Sequence, residues 1–396
     1  MKVVQKFTSC KLHCHNYRSL IVYESLSSFL KKEDCTQELK EAGNDNSYED
    51  IFVPSCLCIV SRYPFFHAFE KILSSLYFGS KKGLKYPLEC YISSLTCRTP
   101  VPPRKTFRVS LMLTEEFDTI EIKQPEMNRL PLLDTHFVLL PKSLSLKNTV
   151  KILNGILTGH SVVFIAERVE RITQVTESII ALMFPFNYEL VYIPVLPETM
   201  IGFLSAPVQF IAGVNRHLKD QMINEIETDT IIVDLDNDKV EFQEQTEGKK
   251  ESKKDFVDLP KSEVDSLISN IGDKWKLMGK NKKKGKVDEE FKEPNVEIVN
   301  SIRKGFLNMF INMFRSYKDY IDTNFDSSFN KSKFIQATKK EYRLFMKQFV
   351  ETQIFQQFIE KRVTPLSYDD AARNKYFDES TRNIAKGVIL LNKRIG

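Results

Sequence analysis

Apolar residues recur at helical spacing after Pro64 and predict an amphipathic helix in the first part of the chain. The apolar positions of this helix are Phe66, Phe69, Leu73, Leu76 and Tyr77. Pro64 suits the first turn of a helix, and Gly79 is expected to end it. Apolar runs at Leu20–Tyr23 and Leu57–Val60 predict short strands, with a polar loop, Lys31–Asp50, between them.

Helical stripes and strand-like runs alternate between Arg129 and Val240. The stripes comprise Val150, Leu153, Ile156 and Leu157, and then Ile172, Val175, Ile179 and Leu182. The predicted strands are Ser161–Ala166, Val191–Val195, Val208–Val214 and Thr230–Leu235. This alternation predicts an α/β layered domain with a mostly parallel sheet and right-handed crossovers.

The segment Pro185–Val214 is apolar, almost uncharged and interrupted by four prolines. These are Pro185, Pro194, Pro197 and Pro207. Proline cannot continue a helix, so the segment predicts a strand, a turn, a short helix and a second strand, all largely buried.

Charge dominates residues 241–295, where regular apolar stripes fade and a linker is predicted. Within it, Lys274–Lys286 holds seven lysines and no acidic residue. This run is either a solvated linker or a contact with acidic lipid or RNA, which salt would screen.

The block Val296–Arg362 is rich in Phe, Tyr and Met at helical spacing and predicts packed helices. One face comprises Ile302, Phe306, Met309, Met313 and Tyr317, and another comprises Tyr342, Phe345, Phe349 and Thr352. Residues 363–396 form a tail with no clear pattern.

The 396 residues exceed one ordinary core and predict two or three domains. An apolar content of 42% with 28% charged residues is typical of a soluble protein. The formal charge of +5 is small for this length and does not indicate a nucleic-acid binder. Seven irregularly spaced cysteines favour a reducing cytosol, and no signal peptide or membrane-length apolar run is evident.

The sequence lacks the motifs GxxxxGK[ST], GxGxxG, GxSxG and HExxH. Their absence argues against the usual nucleotide-binding loops, serine hydrolases and zinc proteases. We therefore expect no catalytic residues, no cofactor and no small-molecule substrate.

Two clusters contain residue types that bind metals. Cys10, His13, Cys14 and His15 would have to converge on a zinc ion, yet alternation along a strand separates Cys14 from both histidines, which favours an edge strand. Asp234, Asp236 and Asp238 alternate in the sequence VDLDNDKV. For these we favour an Asp-Asn turn over a metal site or a partner-facing loop, and we predict no metal.

Three segments resemble the tripartite DENN family in order and spacing. Phe52–Tyr77, with its SRYPFF motif, resembles the upstream segment, and Ser161–Val240 resembles the central segment. The FVETQIFQQFIEKR sequence at Phe349–Arg362 is similar to the downstream segment. On this basis the chain is identified as a member of that family.

The resemblance implies a longin-like α/β N-terminal lobe, a central α/β lobe and a helical C-terminal extension. The corresponding divisions are 1–113 (first lobe), 129–240 (central lobe), 241–295 (linker), 296–362 (helices) and 363–396 (tail). Family members usually carry another strand before the one near Lys6–His15. The first lobe is therefore either incomplete or part of a longer protein.

The resemblance further implies binding of a Rab-type small GTPase between the first two lobes and promotion of GDP release. Related folliculin-type proteins instead activate GTP hydrolysis through an arginine in the loop before the strand at Leu57. Lys31–Val60 contains no arginine, which favours exchange. The alternative is a non-catalytic adaptor that binds a GTPase or a sister longin–DENN protein.

Strand ends and turns are where α/β folds usually present ligands. On that ground, GTPase contacts are predicted at Ser61, Arg62, Tyr192, Glu198, Asn215, Asp236 and Asn237. The expected location is cytoplasmic, with recruitment to vesicle or endosomal membranes, and no nucleic acid is expected as a partner.

Overall fold

The protein is represented by a computed structural model, which divides into two compact units. The first comprises Met1–Pro103 and Phe107–Gln124, and the second comprises Arg104–Thr106 and Pro125–Gly396. The structure describes residues 6–12, 15–25, 52–61, 63–104, 107–113, 119–126, 129–227, 229–242, 256–279, 296–322 and 328–395.

The first unit contains two antiparallel sheets and two helical segments. In chain order these are β1 (Lys6–Leu12), β2 (His15–Ser25), β3 (Phe52–Ser61), α1 (Phe66–Lys82), α2 (Leu88–Ser93), β4 (Arg108–Leu111) and β5 (Ile120–Lys123). The first sheet has the order β1-β2-β3, and β4 pairs with β5. α2 continues directly into a π-helical turn, Ser94–Arg98.

Helix α1 confirms the stripe predicted after Pro64. Its side chains Leu73 and Tyr77 are buried and pack with Leu57 and Ile59 of β3. The predicted end at Gly79 is wrong, because this glycine is buried within the helix. Helix α1 ends instead at Gly83, whose φ of +95° favours glycine.

The Cys/His cluster of the N-terminal region lies partly outside the described residues. His13 and Cys14 are not described, whereas Cys10 belongs to β1 at the edge of its sheet and His15 begins β2. The polar loop predicted at Lys31–Asp50 also lies outside the described residues.

The second unit is built around a five-stranded sheet in the order β10-β9-β6-β8-β7. Its elements up to the last strand are α3 (Leu139–Ser143), α4 (Leu146–Leu157), β6 (Val162–Ala166), α5 (Val169–Leu182), β7 (Val191–Ile193), β8 (Phe210–Asn215), α6 (Lys219–Glu225), β9 (Ile231–Asp234) and β10 (Lys239–Phe242). All pairings are parallel except that of β10 with β9. The mostly parallel sheet predicted from the alternating pattern is confirmed.

Both faces of this sheet are covered, which explains why its central strands are apolar without interruption. Val162 and Phe164 of β6 belong to a core with Ile172 of α5, whereas Val163 belongs to a separate core with Met222 of α6. Successive side chains of β6 therefore enter two different hydrophobic clusters.

The proline-interrupted segment has the predicted order of strand, turn, short helix and strand. The prediction that all of it is largely buried is wrong for its middle part, where residues 197–200 and Val208 are exposed. A 3-10 helix, Glu198–Ser205, lies between β7 and β8. β8 approaches this connection closely: a Cβ on Gly213 would lie 2.0 Å from the carbonyl oxygen of Pro194. Glycine at this position allows the two backbones to come together.

The linker prediction is wrong over helix α7 (Lys261–Gly279), which lies inside residues 241–295. Leu267, Ile271 and Trp275 of this helix are buried in the main core, and Trp275 Nε1 donates to the carbonyl oxygen of Leu144 at 3.1 Å. Of the lysine run, Lys274 Nζ bonds Ser301 Oγ at 2.5 Å, and residues 280–286 lie outside the described part of the chain.

The C-terminal region is helical. The helices predicted over Val296–Arg362 are confirmed, and a further helix, which the sequence did not predict, occupies Tyr368–Ile395 in the tail. The region contains α8 (Val296–Phe314), α9 (Lys331–Ala337), α10 (Arg343–Phe349), α11 (Gln353–Val363) and α12 (Tyr368–Ile395). Phe186, which follows α5, lies among four phenylalanines of these helices. Its ring centroid is 5.2 Å from Phe310, 5.1 Å from Phe314, 4.9 Å from Phe349 and 4.8 Å from Phe358. The central sheet and the C-terminal helices thus share one hydrophobic core.

Candidate functional site

The carboxyl ends of three parallel strands lie side by side in the second unit. In the sheet register, Ala166 at the end of β6 is opposite Asn215 at the end of β8, and Ile165 is opposite Asp234 at the end of β9. The polar residues that follow these strands therefore meet at one edge of the sheet. In α/β folds this edge is where ligands usually bind.

Arg216 joins two of these strand ends. Its Nη2 donates to Asp234 Oδ1 at 2.5 Å and to Asp236 Oδ2 at 2.7 Å, and its Nε donates to Asp236 Oδ2 at 2.9 Å. The residue directly after β8 thereby holds the turn that follows β9. We call residues 234–238 the aspartate turn.

A second arginine reaches the same turn from α5. Arg171 Nη1 donates to Asp236 Oδ1 at 2.8 Å, so both oxygens of this carboxylate accept guanidinium hydrogen bonds. The backbone N–H of Glu167, just after β6, also donates to Asp236 at 2.8 Å. Asp236 therefore connects the region after β6, the beginning of α5 and the region after β8.

The aspartate turn is also hydrogen-bonded internally. Asp234 Oδ1 accepts the backbone N–H groups of Asp236 and Asn237 at 3.0 and 3.1 Å, as expected for an Asx-type turn. Asn237 Nδ2 donates to Asp234 Oδ2 at 2.9 Å. The preference for an Asp-Asn turn in this sequence is confirmed.

The far end of the turn is anchored to α4. Asp238 has a φ of +52°, in the left-handed region that aspartate tolerates better than most residues. Its Oδ1 accepts from the backbone N–H of Ser145 at 2.7 Å and from Asn148 Nδ2 at 2.9 Å. Contacts at both ends fix the turn between α4 and α5.

The ion pairs have a clear electrostatic effect. Burial on its own would raise the pKa of Asp234, but hydrogen bonds from Arg216 and Asn237 outweigh it and hold this pKa below its usual value. The hydrogen bond to Asp234 likewise raises the pKa of Arg216. Asp234 and Arg216 are thus both charged at neutral pH and form an ion pair.

Three of the predicted contact residues meet at this site. Asn237 is exposed in the aspartate turn, the side chain of Asp236 is 22% exposed, and Asn215 is half-buried at the end of β8. Asn215 Oδ1 accepts the backbone N–H of His217 at 3.2 Å, and its Nδ2 lies 3.5 Å from the carbonyl oxygen of Glu167. These side chains present amide and carboxylate groups in fixed orientations.

The other predicted contact residues lie elsewhere. Glu198 is exposed on the 3-10 helix after β7, where Gln221 Nε2 lies 3.4 Å from its Oε1. Tyr192 lies in the middle of β7 rather than at a strand end, and only 7% of it is exposed, so its side chain contributes to the core. Ser61 ends β3 in the first unit, and Arg62 is outside the described residues.

Sequence reasoning missed Arg171 and Arg216. A usable signal existed for Arg216, since an arginine directly after a predicted strand is well placed to meet acidic residues at a neighbouring strand end. Arg171 lies between the apolar residues of α5. A polar side chain at such a position is usually expected to be solvated, so no signal in the sequence indicated its contact with Asp236.

Neither metal sites nor membrane spans are found in the part of the chain that the structure describes. No group of three or more His, Cys, Asp or Glu side chains there is arranged to hold a metal ion. Asp234 and Asp236 instead bind guanidinium groups. No helix among the described residues has both the length and the apolar character needed to cross a bilayer.

Comparison with known families agrees with this architecture. Residues 52–238 match the family described as the DENN (AEX-3) domain, and residues 329–380 match the dDENN domain. The chain carries a DENN domain and a dDENN domain. The DENN match extends from β3 to the aspartate turn, and the dDENN match includes α9, α10, α11 and the first part of α12.

One curated protein is a distant relative of this chain. The chain is similar to DENN domain-containing protein 2A of Mus musculus, with 26% identity over 317 residues. The match covers 78% of this chain but only 30% of the relative. The chain therefore spans less than a third of that relative's length. Helices α7 and α8 lie between the DENN match and the dDENN match.

Proposed function

We propose that this DENN-domain protein is a guanine-nucleotide exchange factor for a Rab-type small GTPase in membrane trafficking. The observation that carries the proposal is the DENN match over residues 52–238, in a family whose members generally act as Rab exchange factors. In this proposal the first unit is the longin-like lobe and the protein acts in the cytoplasm, at vesicle or endosomal membranes. It carries out no covalent chemistry.

Nucleotide exchange requires that the protein bind two states of the GTPase with different affinities. It does not require side chains that act as general acids or bases. An exchange factor accelerates GDP release if it binds the nucleotide-free GTPase more tightly than the GDP-bound form. Holding the switch segments away from Mg²⁺ and phosphate achieves this. A surface with a fixed shape and oriented hydrogen-bonding groups serves this purpose, because little entropy is lost when rigid groups bind.

The aspartate turn has these properties and supports the proposed contact at Asn215, Asp236 and Asn237. Arg216 and Arg171 fix Asp236, and Asn237 remains exposed. Ser61, Arg62 and Glu198 complete the proposed contact set. Tyr192 is proposed to act only through the packing of β7, since its side chain is buried.

The test is release of fluorescent GDP from a panel of Rab proteins by the purified full chain. We expect acceleration for at least one Rab. A folded chain that accelerates none of them contradicts the proposal. Equal affinity for the GDP-bound and nucleotide-free forms identifies an adaptor instead, because a ligand with equal affinity for two states shifts no equilibrium.

A matched pair of asparagine variants tests the contact surface. Asn237→Ala removes an exposed amide from the aspartate turn, whereas Asn270→Ala removes an exposed amide from α7. We expect the exchange efficiency to fall about fivefold or more for Asn237→Ala, the usual effect of losing one interface hydrogen bond, and to stay unchanged for Asn270→Ala. Equal activities exclude the turn as a contact.

A further inference from the structure

Helix α2 and the π-helical turn that continues it are not packed into a core. No residue of Leu88–Ser93 or of Ser94–Arg98 is buried. By contrast, α1, directly before it in the same unit, buries nine residues. A helical segment in a folded unit normally covers an apolar stripe, and this exposed segment departs from that pattern.

The segment is nevertheless amphipathic. Leu88, Tyr91, Ile92 and Leu95 recur at helical spacing, and Ile92 is 46% exposed. Tyr86, just before α2, is 56% exposed and its ring centroid lies 6.5 Å from that of Tyr91. Leu88, Tyr91 and Leu95 are half-buried, so Ile92 and Tyr86 are the apolar side chains that this segment opens to water.

Exposed apolar side chains concentrate in this part of the described chain. Fourteen large apolar residues are exposed, and six of them lie within a stretch of 35 residues. Those six are Phe78, Tyr86, Ile92, Val101, Phe107 and Met112. Of these six, Tyr86 and Ile92 lie in or directly beside α2.

The charges around the helix indicate what the surface binds. Lys81 and Lys82 form the last turn of α1, Lys85 lies in the connection, and Arg98 ends the π-helical turn; all four are exposed. Between Phe78 and Arg98 the only acidic residue is Glu89. An exposed apolar stripe flanked by cations has the chemistry of a helix that lies in the plane of an anionic lipid surface.

We propose that Leu88–Ser93 and Ser94–Arg98 form a peripheral docking site for an anionic membrane. Ile92 enters the boundary between headgroups and acyl chains, Tyr86 and Tyr91 lie at headgroup level, and Lys81, Lys82, Lys85 and Arg98 contact lipid phosphates.

The site is separate from the aspartate turn, and its test needs no GTPase. The full chain is sedimented with vesicles of phosphatidylcholine, with and without phosphatidylserine, at low and high salt. We expect binding only to vesicles that contain phosphatidylserine, and weaker binding as salt screens the charges. Failure to bind such vesicles, or binding to soluble RNA alone, overturns the proposal.

Two variants test which residues of the chain contact the membrane. Ile92→Glu places a charge in the apolar stripe and is expected to weaken vesicle binding about tenfold. The double change Lys85→Gln and Arg98→Gln should weaken it about fivefold for each cation removed. All three positions are exposed, so the variants should keep the melting temperature of the parent chain.

Two control variants distinguish α2 from exposed apolar and basic residues elsewhere in the chain. Leu344→Glu places the same charge at a leucine that is 66% exposed on α10, and it should bind vesicles like the parent chain. Replacing Lys282, Lys283 and Lys284 together with Glu tests the lysine run and should have a smaller effect than Ile92→Glu. Equal loss in Leu344→Glu, or loss only in the lysine-run variant, overturns the assignment to α2.

Discussion

The guanidinium group of Arg216 donates two hydrogen bonds to a single carboxylate oxygen of Asp236, from Nε at 2.9 Å and from Nη2 at 2.7 Å. Both side chains are largely shielded from water, with 31% of Arg216 and 22% of Asp236 exposed. Charged hydrogen bonds in such an environment contribute more than pairs on the open surface. Arg216 is therefore a main support of the aspartate turn, beside Arg171 and the contacts of Asp238.

Replacing Arg216 should loosen the turn. Arg216→Ala leaves Asp234 and Asp236 without their shared donor and should lower the free energy of unfolding by about 2 kcal/mol. It should also reduce exchange efficiency, because Asp234 and Asp236, which orient the turn, lose their shared donor. Urea unfolding, followed by the emission of Trp275, the single tryptophan, measures the first effect.

The matched control for Arg216→Ala is Lys331→Ala, which removes an exposed pair with Glu351 at 2.7 Å. We expect this change to cost less than about 1 kcal/mol. A stability loss at Arg216 no larger than that at Lys331 would show that the arginine does not hold the turn.

The stability contribution of Asp234 should depend on pH. Its pKa is lower in the folded protein than in the unfolded chain, so the folded state favours the ionised carboxylate. The resulting stabilisation is fully present above the unfolded value of about 4 and is lost as the pH falls below it. The difference in unfolding free energy between the parent chain and Asp234→Asn should therefore shrink at acid pH. A difference that is constant between neutral and acid pH contradicts this expectation.

Gly213 should not tolerate a methyl group. A Cβ there would lie 2.0 Å from Pro194 O and 2.6 Å from Ile172 Cγ2, and backbone cannot move aside cheaply. Gly213→Ala is expected to destabilise the protein by about 3 kcal/mol, as overpacking of a core does.

Gly272→Ala on α7 is the control, since its Cβ would meet only Ile268 Cγ2, at 3.9 Å. It should stabilise the helix by up to about 1 kcal/mol. Thermal unfolding of the two variants measures both effects, and a lower melting temperature for Gly272→Ala than for Gly213→Ala would refute the contact argument.

Among the core side chains, removal of Phe186 should lower the free energy of unfolding the most. Its ring packs against four phenylalanines from α8, α10 and α11. Phe186→Ala should lower the free energy of unfolding by about 4 kcal/mol. Leu344→Ala, at an exposed position of α10, should change it by less than about 0.5 kcal/mol. Similar midpoints in urea for the two variants would show that Phe186 is not central to the core.

The strands of the central sheet could be predicted because both of its faces are buried. Ser161–Ala166 and Val208–Val214 are mostly apolar runs, and the structure places β6 and β8 within one or two residues of those bounds. Helix α7 was missed although Leu267, Ile271 and Trp275 are spaced four residues apart. The charged composition of this segment led to the linker prediction, although its apolar residues have the spacing of a helix.

The site could be predicted only in part. Asp236 and Asn237 could be recognised as turn formers from local sequence alone. Their pairing with Arg216 depends on β6 lying between β8 and β9, and strand order in a parallel sheet cannot be deduced from local patterns. Tyr192 was misplaced because its strand is one of only three residues, so its middle was taken for its end.

The hydrogen bond from Trp275 to the carbonyl oxygen of Leu144 has a practical consequence for truncation. Helix α7 lies outside both family matches, yet it fills the same core as the sheet. A fragment cut after residue 238 would lose α7 and Phe186's neighbours in α8, and would expose that core to water. The smallest fragment of the second unit that we expect to fold cooperatively and stay in solution therefore runs from Pro125 through α12.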